Sequence, residues 1–473
     1  MAKPTGFMEF ERASAPKRSV SERLNDYREI EQRLDSDTVE IQASRCMDCG
    51  VPFCHAVGCP VQNRIPDIND FIYRKQWRKA LALLHSTNNF PEITGRVCPA
   101  LCEEACTLAV NKAAVSIRLL ELHLVERGFR EGWIVPEPAP RKTGRKVAVA
   151  GSGPAGLAAA QQLARRGHQV VVFEEAQKPG GLLRYGIPDF KLDKSVLDRR
   201  LLQMRGEGVI FETGVLAGED VSLKYLTRNF DALILATGAR APRDLAVPGR
   251  DLPGIHFALD YLTQQNQRNS LETVPGEGIG AAGKRVLVIG GGDTGSDCIG
   301  TAHRQGARDV TQIELLPEPP TGRTTDNPWP DWPQILRTST SHEEGAVRMW
   351  SLLTKSFTGG KDGVTSVRCV KLNWKRNADG KMVSEEIKGS EFEIKADLVL
   401  LATGFLHVNH DRMVRDGALA LSLQGNLLVN REGLTSHPGI FGAGDSVRGP
   451  SLVVHAIAAG RSAAEAVQRY LLK

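Results

Sequence analysis

Short apolar runs recur along the chain after residue 140, and most of them end in glycine or an acidic residue. Runs of this length are typical of buried parallel strands. The first run leads through a glycine-rich turn into an apolar stretch of helical length. Alternating strands and helices predict an α/β fold with doubly wound sheets. The runs lie at residues 145–150, 169–174, 231–236, 284–289, 309–316 and 397–402.

The chain before residue 140 has a different pattern, which predicts helices. Ser19 and Glu22 match a capping box that would open one helix. A second helix is expected over residues 77–85, and the proline-rich residues 135–140 are expected to form an extended linker. The apolar side of the first helix would run through Leu24, Tyr27, Ile30 and Leu34.

A glycine-rich turn follows the first apolar run. Gly151 permits the turn, Gly153 lets backbone approach a pyrophosphate, and Gly156 lets the helix pack closely on the strand. The next strand ends at Glu174, where dinucleotide-binding proteins carry a carboxylate for a ribose hydroxyl. The N–H groups at the start of the helix would face the phosphates. We therefore predict a dinucleotide site in this unit.

The same pattern occurs a second time, later in the chain. Its second strand again ends in an acid, and the strand-end sequence Ala-Thr-Gly at 236–238 recurs at 402–404. The repeat predicts a second dinucleotide site. The residues that we expect to form it are Gly290, Gly292, Asp293, Thr294, Gly295 and Glu314.

Two further segments are expected to meet a flavin on the first unit. Asp445, after Gly444, is placed to bind a ribityl chain or a phosphate-linked hydroxyl. A helix that begins near Pro450 would direct its positive end at the flavin pyrimidine ring. The loop with Gly181 and Leu182 is expected to run close to the flavin, since glycine permits close backbone approach.

These patterns predict three structural parts. A helical domain would cover residues 1–140. Two Rossmann-like dinucleotide-binding domains would follow, and the second would be inserted in the first. The flavin domain would take residues 141–280 and 405–473, and the nicotinamide domain residues 281–404.

Seven of the nine cysteines lie between residues 46 and 106, which in a reducing compartment indicates metal. The run from Cys46 to Pro60 resembles ferredoxin-type sequences, in which the cysteine before proline reaches a different cluster. On one helix, Cys98 and Cys106 would lie about 12 Å apart, too far for one cluster. We expect two 4Fe–4S clusters, one on Cys46, Cys49, Cys54 and Cys106, the other on Cys59, Cys98 and Cys102.

Seven thiolates leave one iron without a cysteine ligand. Glu121, His123 and Glu126 follow closely and are the candidates for the eighth ligand. Zinc sites that also use His55 or His123 are the alternative. The isolated Cys298 and Cys369 are expected to be core residues.

The composition excludes several classes of protein. Of 473 residues, 41% are hydrophobic and 24% are charged, which excludes a largely disordered chain. The net charge of +5 is too small to indicate nucleic-acid binding. No apolar run reaches the roughly 18 residues of a membrane helix, and the first residues lack the apolar core of a signal peptide. We expect a cytoplasmic protein without a membrane partner.

Seven clustered cysteines followed by two glycine-rich units resemble the small (beta) subunit of glutamate synthase over nearly the whole chain. The same module occurs in dihydropyrimidine dehydrogenase and in some electron-transfer transhydrogenases. The resemblance is carried by residues 6–10, 46–55, 59–60, 185–191, 290–294 and 442–445.

The resemblance implies FAD on the first unit, a nicotinamide dinucleotide on the second, and two 4Fe–4S clusters. It also implies one non-cysteine ligand, which maps best to Glu121. In this family, electrons pass through the clusters to FMN in a large (alpha) subunit, which makes L-glutamate from L-glutamine and 2-oxoglutarate. We expect no glutamate synthesis by this chain alone, because it has no room for the glutaminase or the FMN barrel.

Glu314 bears on the choice between NADH and NADPH. Many bacterial members of the family carry two arginines after this strand, which suit a 2′-phosphate, whereas this chain has Glu314 and a segment that resembles NADH-using plant and fungal enzymes. A carboxylate would bind a ribose 2′-OH and repel a phosphate, which favours NADH. Arg304, Arg308 and Arg323 could reverse this preference if they fold over the ribose.

Three alternative functions remain open. A disulfide reductase would need a Cys-x2-Cys pair beside the flavin, and no such pair follows residue 106. An electron-input subunit of a transhydrogenase would have a partner with other cofactors. A zinc-bearing scaffold would be distinguished by metal analysis. We predict no catalytic side chain, since the cofactors carry the reaction.

Overall fold

The computed structural model describes residues 3–274, 276, 278–410 and 412–472, which begin with a helical domain. A π-helical turn at Cys54–Gly58 and a 3₁₀ turn at Thr107–Val110 interrupt its helices. Helix α5 confirms the helix predicted over residues 77–85. The helices are α1 (Gly6–Glu9), α2 (Val20–Arg23), α3 (Ser36–Ser44), α4 (Ile65–Tyr73), α5 (Trp77–Thr87), α6 (Pro91–Val97), α7 (Leu101–Glu104) and α8 (Ile117–Arg130).

The capping box at the start of α2 is confirmed, but the helix is short. Ser19 Oγ accepts a hydrogen bond from Glu22 N, and Glu22 Oε2 accepts one from Ser19 N at 3.2 Å. The prediction that this helix continues to Leu34 was wrong, since α2 ends at Arg23. Arg23 is buried and its Nε lies 2.7 Å from Glu344, far along the chain. Arg23 is thus held by a contact that the local apolar spacing does not indicate.

The first unit is built on a parallel sheet, and the chain leaves this sheet after its fourth strand. Its elements in this part of the chain are β1 (Lys146–Ala150), α9 (Pro154–Arg165), β2 (Gln169–Glu174), α10 (Leu182–Tyr185), α11 (Lys194–Gly206), β3 (Val209–Thr213), α12 (Leu223–Asn229) and β4 (Ala232–Leu235).

The second unit has a parallel sheet and an antiparallel layer. Its parallel sheet and helices are β5 (Ile255–Phe257), α13 (Ala258–Asn269), β6 (Arg285–Ile289), α14 (Asp293–Arg304), β7 (Asp309–Ile313), α15 (Thr340–Glu343), β8 (Val347–Met349) and β13 (Leu398–Leu401). The antiparallel strands are β9 (Leu352–Gly360), β10 (Gly363–Arg376), β11 (Met382–Glu386) and β12 (Phe392–Lys395). The chain then returns to the first unit through α16 (Arg412–Asp416), β14 (Ile440–Gly442), α17 (Asp445–Arg448) and α18 (Val453–Leu471).

Strand order confirms that the second unit is inserted in the first. The first sheet runs β14-β4-β1-β2-β3 and takes an edge strand from the end of the chain. The second runs β5-β13-β6-β7-β8, and all neighbours in both sheets are parallel. Strand β5 lies in the second sheet, although we had assigned residues up to 280 to the first domain.

The antiparallel layer was not predicted. It covers one face of the second sheet, where Val367 and Cys369 pack with Ile289. Helices cover the other face, where Cys298 packs with Val288. Both isolated cysteines are therefore core residues, as we predicted.

The helical domain and the first unit share one hydrophobic core, which includes residues of α5, α6, α8, α9 and α18. Across this boundary the fully buried Arg200 and Glu92 pair at 2.6 and 2.8 Å. The linker residues 135–140 have no regular structure, and Gln203 Nε2 donates to Val135 O at 2.9 Å. The helical domain is thus packed firmly on the first unit. In the described ranges, no helix is long and apolar enough to cross a membrane.

Candidate cofactor-binding sites

The first glycine of each unit lies under the strand-end turn that we recognised as a repeat. Gly151 and Gly290 have φ of +97° and +124°, in the left-handed region that favours glycine. A Cβ at either position would collide with a backbone carbonyl, that of Ala236 or of Ala402. The third glycines, Gly156 and Gly295, pack against the carbonyls of the first glycines. The two turns therefore have the same construction.

The carboxylates at the strand ends also occupy equivalent positions. Glu174 accepts hydrogen bonds from Ser152 N at 3.0 Å and Ala176 N at 2.9 Å. Glu314 accepts them from Gly291 N at 2.5 Å and Leu316 N at 3.0 Å. In each unit the carboxylate is thus held against the glycine-rich turn, where a ribose beside the pyrophosphate would lie.

Ser152 was not predicted, although it joins three segments of the first site. It is fully buried, its hydroxyl donates to Glu174 Oε2 at 2.5 Å, and it accepts from Gly180 N at 2.8 Å. It occupies a variable position of the glycine motif, so no sequence signal distinguishes it.

The middle glycines leave open space for a ligand. A Cβ on Gly153 or Gly292 would meet no atom within 4 Å. Gly181 lies against Gly153, with its Cβ position 2.8 Å from the Gly153 Cα, and Leu182 is 44% exposed beside it. In the second unit Asp293 is exposed at the first position of α14, followed by the half-buried Thr294.

The C-terminal motif reaches the same edge of the first unit. A Cβ on Gly444 would lie 2.7 Å from the Ala155 Cβ, in the first turn of α9. Asp445 accepts a hydrogen bond from Ser451 Oγ at 2.5 Å, and burial raises the pKa of Asp445. Helix α18 begins at Val453, close to the predicted start.

The three arginines considered near Glu314 lie elsewhere. Arg304 is fully buried in an ion pair with Glu344 at 2.7 Å. Arg308 precedes β7, whereas Glu314 follows it, so the strand separates them. Arg323 donates to a backbone carbonyl of the helical domain at 3.2 Å.

Cys46, Cys49, Cys54 and Cys106 line one cavity in the helical domain. Apart from Asn69 and Thr107 the other lining residues are apolar, including Phe53, whose ring lies 4.6 Å from that of Trp329 in the second unit. We call this the first cavity. Its four cysteines are those that we expected to hold one cluster.

Cys59, Cys98, Cys102 and Glu121 line a second cavity. Asn63 Nδ2 donates to Glu121 Oε1 at 2.8 Å and thereby orients this carboxylate. Val454, at the start of α18, completes the wall, so this second cavity adjoins the first unit.

The other candidates for the eighth ligand do not line either cavity. His123 Nδ1 bonds the Leu34 carbonyl at 3.1 Å. Glu126 pairs with Arg96 at 2.8 Å and with Arg199. The assignment of Glu121 stays a prediction, now with the geometry in its favour.

The cysteines from 98 to 106 do not lie on one continuous helix, so that prediction was wrong. Helix α6 ends at Val97, and Ala100 adopts a left-handed conformation with φ of +66°. Helix α7 then covers only Leu101–Glu104. Pro99 contributes to the break, since it has no N–H to continue the hydrogen bonding of α6.

Burial raises the pKa of Cys46 to about 11 and that of Cys59 to about 12. It also raises the pKa of Glu121, to about 7. Coordination by a cation would favour the ionised forms of such groups, because a metal-bound thiol is deprotonated. In the described residues, no group of three His, Cys, Asp or Glu side chains is placed to hold a single metal ion. The donor sets, four cysteines in the first cavity and three cysteines with Glu121 in the second, fit one 4Fe–4S cluster each.

Two protein-family models match the chain. Residues 145–460 match the pyridine nucleotide-disulphide oxidoreductase family. Residues 23–133 match dihydropyrimidine dehydrogenase domain II, 4Fe-4S cluster. The second match favours iron–sulfur over zinc in the helical domain, and the predicted fold class is confirmed.

The chain is also similar to curated proteins over its whole length. It is 49% identical to the glutamate synthase (NADPH) small chain of Mycobacterium tuberculosis H37Rv, covering 100% of this chain and 96% of that protein. It is 42% identical to the corresponding Bacillus subtilis protein, covering 100% and 99%. Against glutamate synthase (NADH) of Schizosaccharomyces pombe the identity is 46%, covering 98% of this chain and 22% of that protein. These names include both NADH and NADPH.

Among solved structures, FprA from Mycobacterium tuberculosis has a TM-score of 0.55 and 21% sequence identity, covering 69% of this chain and 84% of that one. At this identity the similarity shows the fold alone.

Proposed function

The chain belongs to the glutamate synthase small-chain family, and on this basis we propose that it passes electrons from a nicotinamide dinucleotide to a large subunit. FAD would occupy the first unit, NADH or NADPH the second, and one 4Fe–4S cluster each cavity of the helical domain.

The observation that carries this proposal is the position of the second cavity. Val454 forms part of its wall and belongs to α18, which packs on α9 so closely that Gly460 contacts the Ala155 backbone. Helix α9 is the helix whose start faces the predicted FAD phosphates. The electron path would therefore run from the first unit to the second cavity and then to the first cavity.

When bound, FAD would accept a hydride from the nicotinamide, and the clusters would carry single electrons onward. The chain binds and orients these groups. Glu174 and Glu314 would receive ribose hydroxyls, while Gly153 and Gly292 would let the backbone meet the pyrophosphates. Asp445 would bind the FAD chain.

We propose NADH as the preferred dinucleotide. Glu314 is fixed by Gly291 N and Leu316 N, with lone pairs left for a 2′-OH. The arginines considered as phosphate ligands lie elsewhere, as described above.

The partner that we propose is a glutamate synthase large subunit containing FMN, which would form L-glutamate from L-glutamine and 2-oxoglutarate. The S. pombe relative supports a partner, because its match to this chain covers only 22% of a longer polypeptide. We propose that the complex works in the cytoplasm, since all nine cysteines are free thiols and iron–sulfur proteins of this kind need a reducing environment.

The first experiment is an anaerobic titration of the purified chain with NADH or NADPH. We expect the flavin absorbance to bleach at stoichiometric NADH, followed by the electron paramagnetic resonance (EPR) signals of reduced clusters. A chain without flavin or iron, or a flavin that neither nucleotide bleaches, would contradict the proposal.

The electron path is tested with Cys59→Ser, and Cys298→Ser is the matched control for a buried cysteine outside the cavities. We expect NADH to bleach the flavin in both variants. In Cys59→Ser the first cluster should be reduced by dithionite but not rapidly by NADH. Reduction of that cluster at the unaltered rate would exclude the second cavity from the path.

The partner is tested by adding a purified large subunit with L-glutamine and 2-oxoglutarate. Glutamate should form only when both subunits and NADH are present. If no glutamate forms although the flavin and clusters are reduced, the transhydrogenase alternative gains support.

A further inference from the structure

We propose that Asn69 donates a hydrogen bond to the cluster in the first cavity and raises its reduction potential. The inference rests on the proposed cluster ligands and concerns a residue that the glycine and cysteine motifs do not include. Asn69 is a tuning residue, since it is not itself a ligand.

Asn69 lies on α4, is only 1% exposed and lines the first cavity. Its amide nitrogen Nδ2 is buried and makes no hydrogen bond in the described structure. A buried amide without a partner is costly, and most such groups in folded proteins are paired. An unpaired donor at a cavity wall therefore points to an acceptor inside the cavity.

Apart from the cysteines, Thr107 and Asn69 itself, the residues that line this cavity are apolar. The Thr107 hydroxyl could accept a hydrogen bond, but the structure shows none between it and the Asn69 amide. The Cys46 thiol, a proposed cluster ligand, lines the same cavity as the Asn69 side chain and lies within its interaction range. The acceptor we infer is thus a sulfur of the cluster, either the Cys46 thiolate or an inorganic sulfide.

Asn63 provides an internal comparison at the second cavity. It lies just before α4, and each of its side-chain polar atoms is paired within the protein. Nδ2 donates to Glu121 Oε1 at 2.8 Å, and Oδ1 accepts from Thr87 Oγ1 at 2.7 Å. Its backbone N donates to Cys59 Sγ at 3.4 Å. Asn63 thus positions ligands, whereas Asn69 has a free donor.

An N–H donor favours the more negative, reduced form of a cluster, and hydrogen bonds to sulfur are among the factors that set its potential. The effect is larger in a water-poor site, where the dielectric constant is low. The first cluster would be the later one on the proposed path. A higher potential there would make the transfer between clusters favourable.

The test compares Asn69→Leu, which keeps the approximate size but removes the donor, with Asn69→Gln, which keeps an amide. Asn63→Leu serves as the control and identifies the EPR signal of the second cluster. Potentials are measured by dithionite titration with mediators on the full chain, so neither NADH nor a large subunit is needed. A failure of NADH oxidation would therefore leave this test intact.

In Asn69→Leu we expect the ratio of reduced to oxidised first cluster to fall about tenfold at a fixed potential, which corresponds to a midpoint lower by about 59 mV for one electron. Asn69→Gln should recover part of this shift, and Asn63→Leu should leave the first cluster unchanged. Exchangeable-proton couplings measured by ENDOR in D₂O should be lost in Asn69→Leu.

An unchanged potential in Asn69→Leu with full iron content would overturn the inference. If Asn69→Leu loses iron, the iron content and the first-cluster potential of Asn69→Gln become the test. Restored iron with a potential near that of the original protein supports donation by the amide. A Gln variant that also loses the first cluster overturns it and assigns Asn69 a packing role.

Discussion

Glu314→Gln should shift the nucleotide preference of the chain from NADH toward NADPH. The carboxylate is held by Gly291 N and Leu316 N, and the amide of glutamine keeps one acceptor oxygen with nearly the same shape. The substitution therefore removes the charge and keeps one of the two hydrogen bonds to the turn. The measured quantity is the ratio of kcat/KM for NADH to that for NADPH, with an artificial electron acceptor.

The expected size follows from two effects. Glu314 is half-buried, and two unit charges about 4 Å apart interact by about 1 to 4 kcal/mol between the dielectric constants of water and a protein surface. For the lost repulsion between residue 314 and the 2′-phosphate we take a value near the lower end of this range, about 1.4 kcal/mol, which raises kcat/KM for NADPH about tenfold. Replacing a charged by a neutral hydrogen bond to the 2′-OH costs about 1 kcal/mol, or roughly fivefold. The ratio should fall by about 50-fold.

Glu174→Gln is the matched control, because Glu174 has the equivalent contacts in the first unit. It should weaken FAD retention and leave the NADH to NADPH ratio unchanged. A ratio that moves less than about twofold in Glu314→Gln would refute the assignment of Glu314 to the ribose. An original protein that prefers NADPH would refute the proposed preference itself.

Three further predictions concern the helical domain and its boundary. Glu121→Ala should lower bound iron by about half in metal analysis, because a second-cavity ligand is lost, whereas Glu126→Ala should retain the full iron content. Glu92→Gln leaves the buried Arg200 unpaired and should lower the unfolding free energy in urea by about 3 to 5 kcal/mol, while Glu92→Leu with Arg200→Met should cost less. Burial raises the pKa of Glu126, but Arg199 and Arg96 outweigh this and lower it from 4.5 to about 2. The resulting stability is present above pH 4.5 and lost between pH 4.5 and about 2, so Glu126→Gln should flatten that part of the urea unfolding profile.

The two dinucleotide units could be predicted because their signals are local. The glycines, the short strand and the terminal acid all lie within about thirty residues, and each has one structural task. Gly151 and Gly290 consequently have the same surroundings in the structure. The insertion of one unit in the other was also predictable, since the C-terminal Gly444 motif had to return to the first unit.

Features that depend on distant parts of the chain could not be predicted. Helix α2 ends at Arg23, whose side chain pairs with Glu344, more than three hundred residues away. Trp329, in the proline-rich residues 317–333, packs on Phe53 at the wall of the first cavity, a contact that no local pattern predicts. No sequence motif surrounds Asn69. Its proposed role follows from its buried Nδ2, which has no hydrogen-bond partner, and only the structure shows this.

The first unit has one interface with the helical domain and another with the second unit, and the two differ in the contacts that form them. The interface with the helical domain is a continuous hydrophobic core, so the second cavity keeps a fixed position beside α18. The second unit has separate cores and meets the rest through ion pairs, such as Lys191 with Asp297 and Arg23 with Glu344, and through local ring contacts such as Phe53 with Trp329. Desolvation offsets much of the attraction in buried ion pairs. An interface built on such pairs therefore orients the second unit but adds little to the net stability of the contact. Hydride transfer needs close contact, yet the oxidised nucleotide must leave afterwards. An interface that orients the second unit but has low net stability allows both the close contact and the later release. Electron transfer through the helical domain needs only the fixed interface between that domain and the first unit.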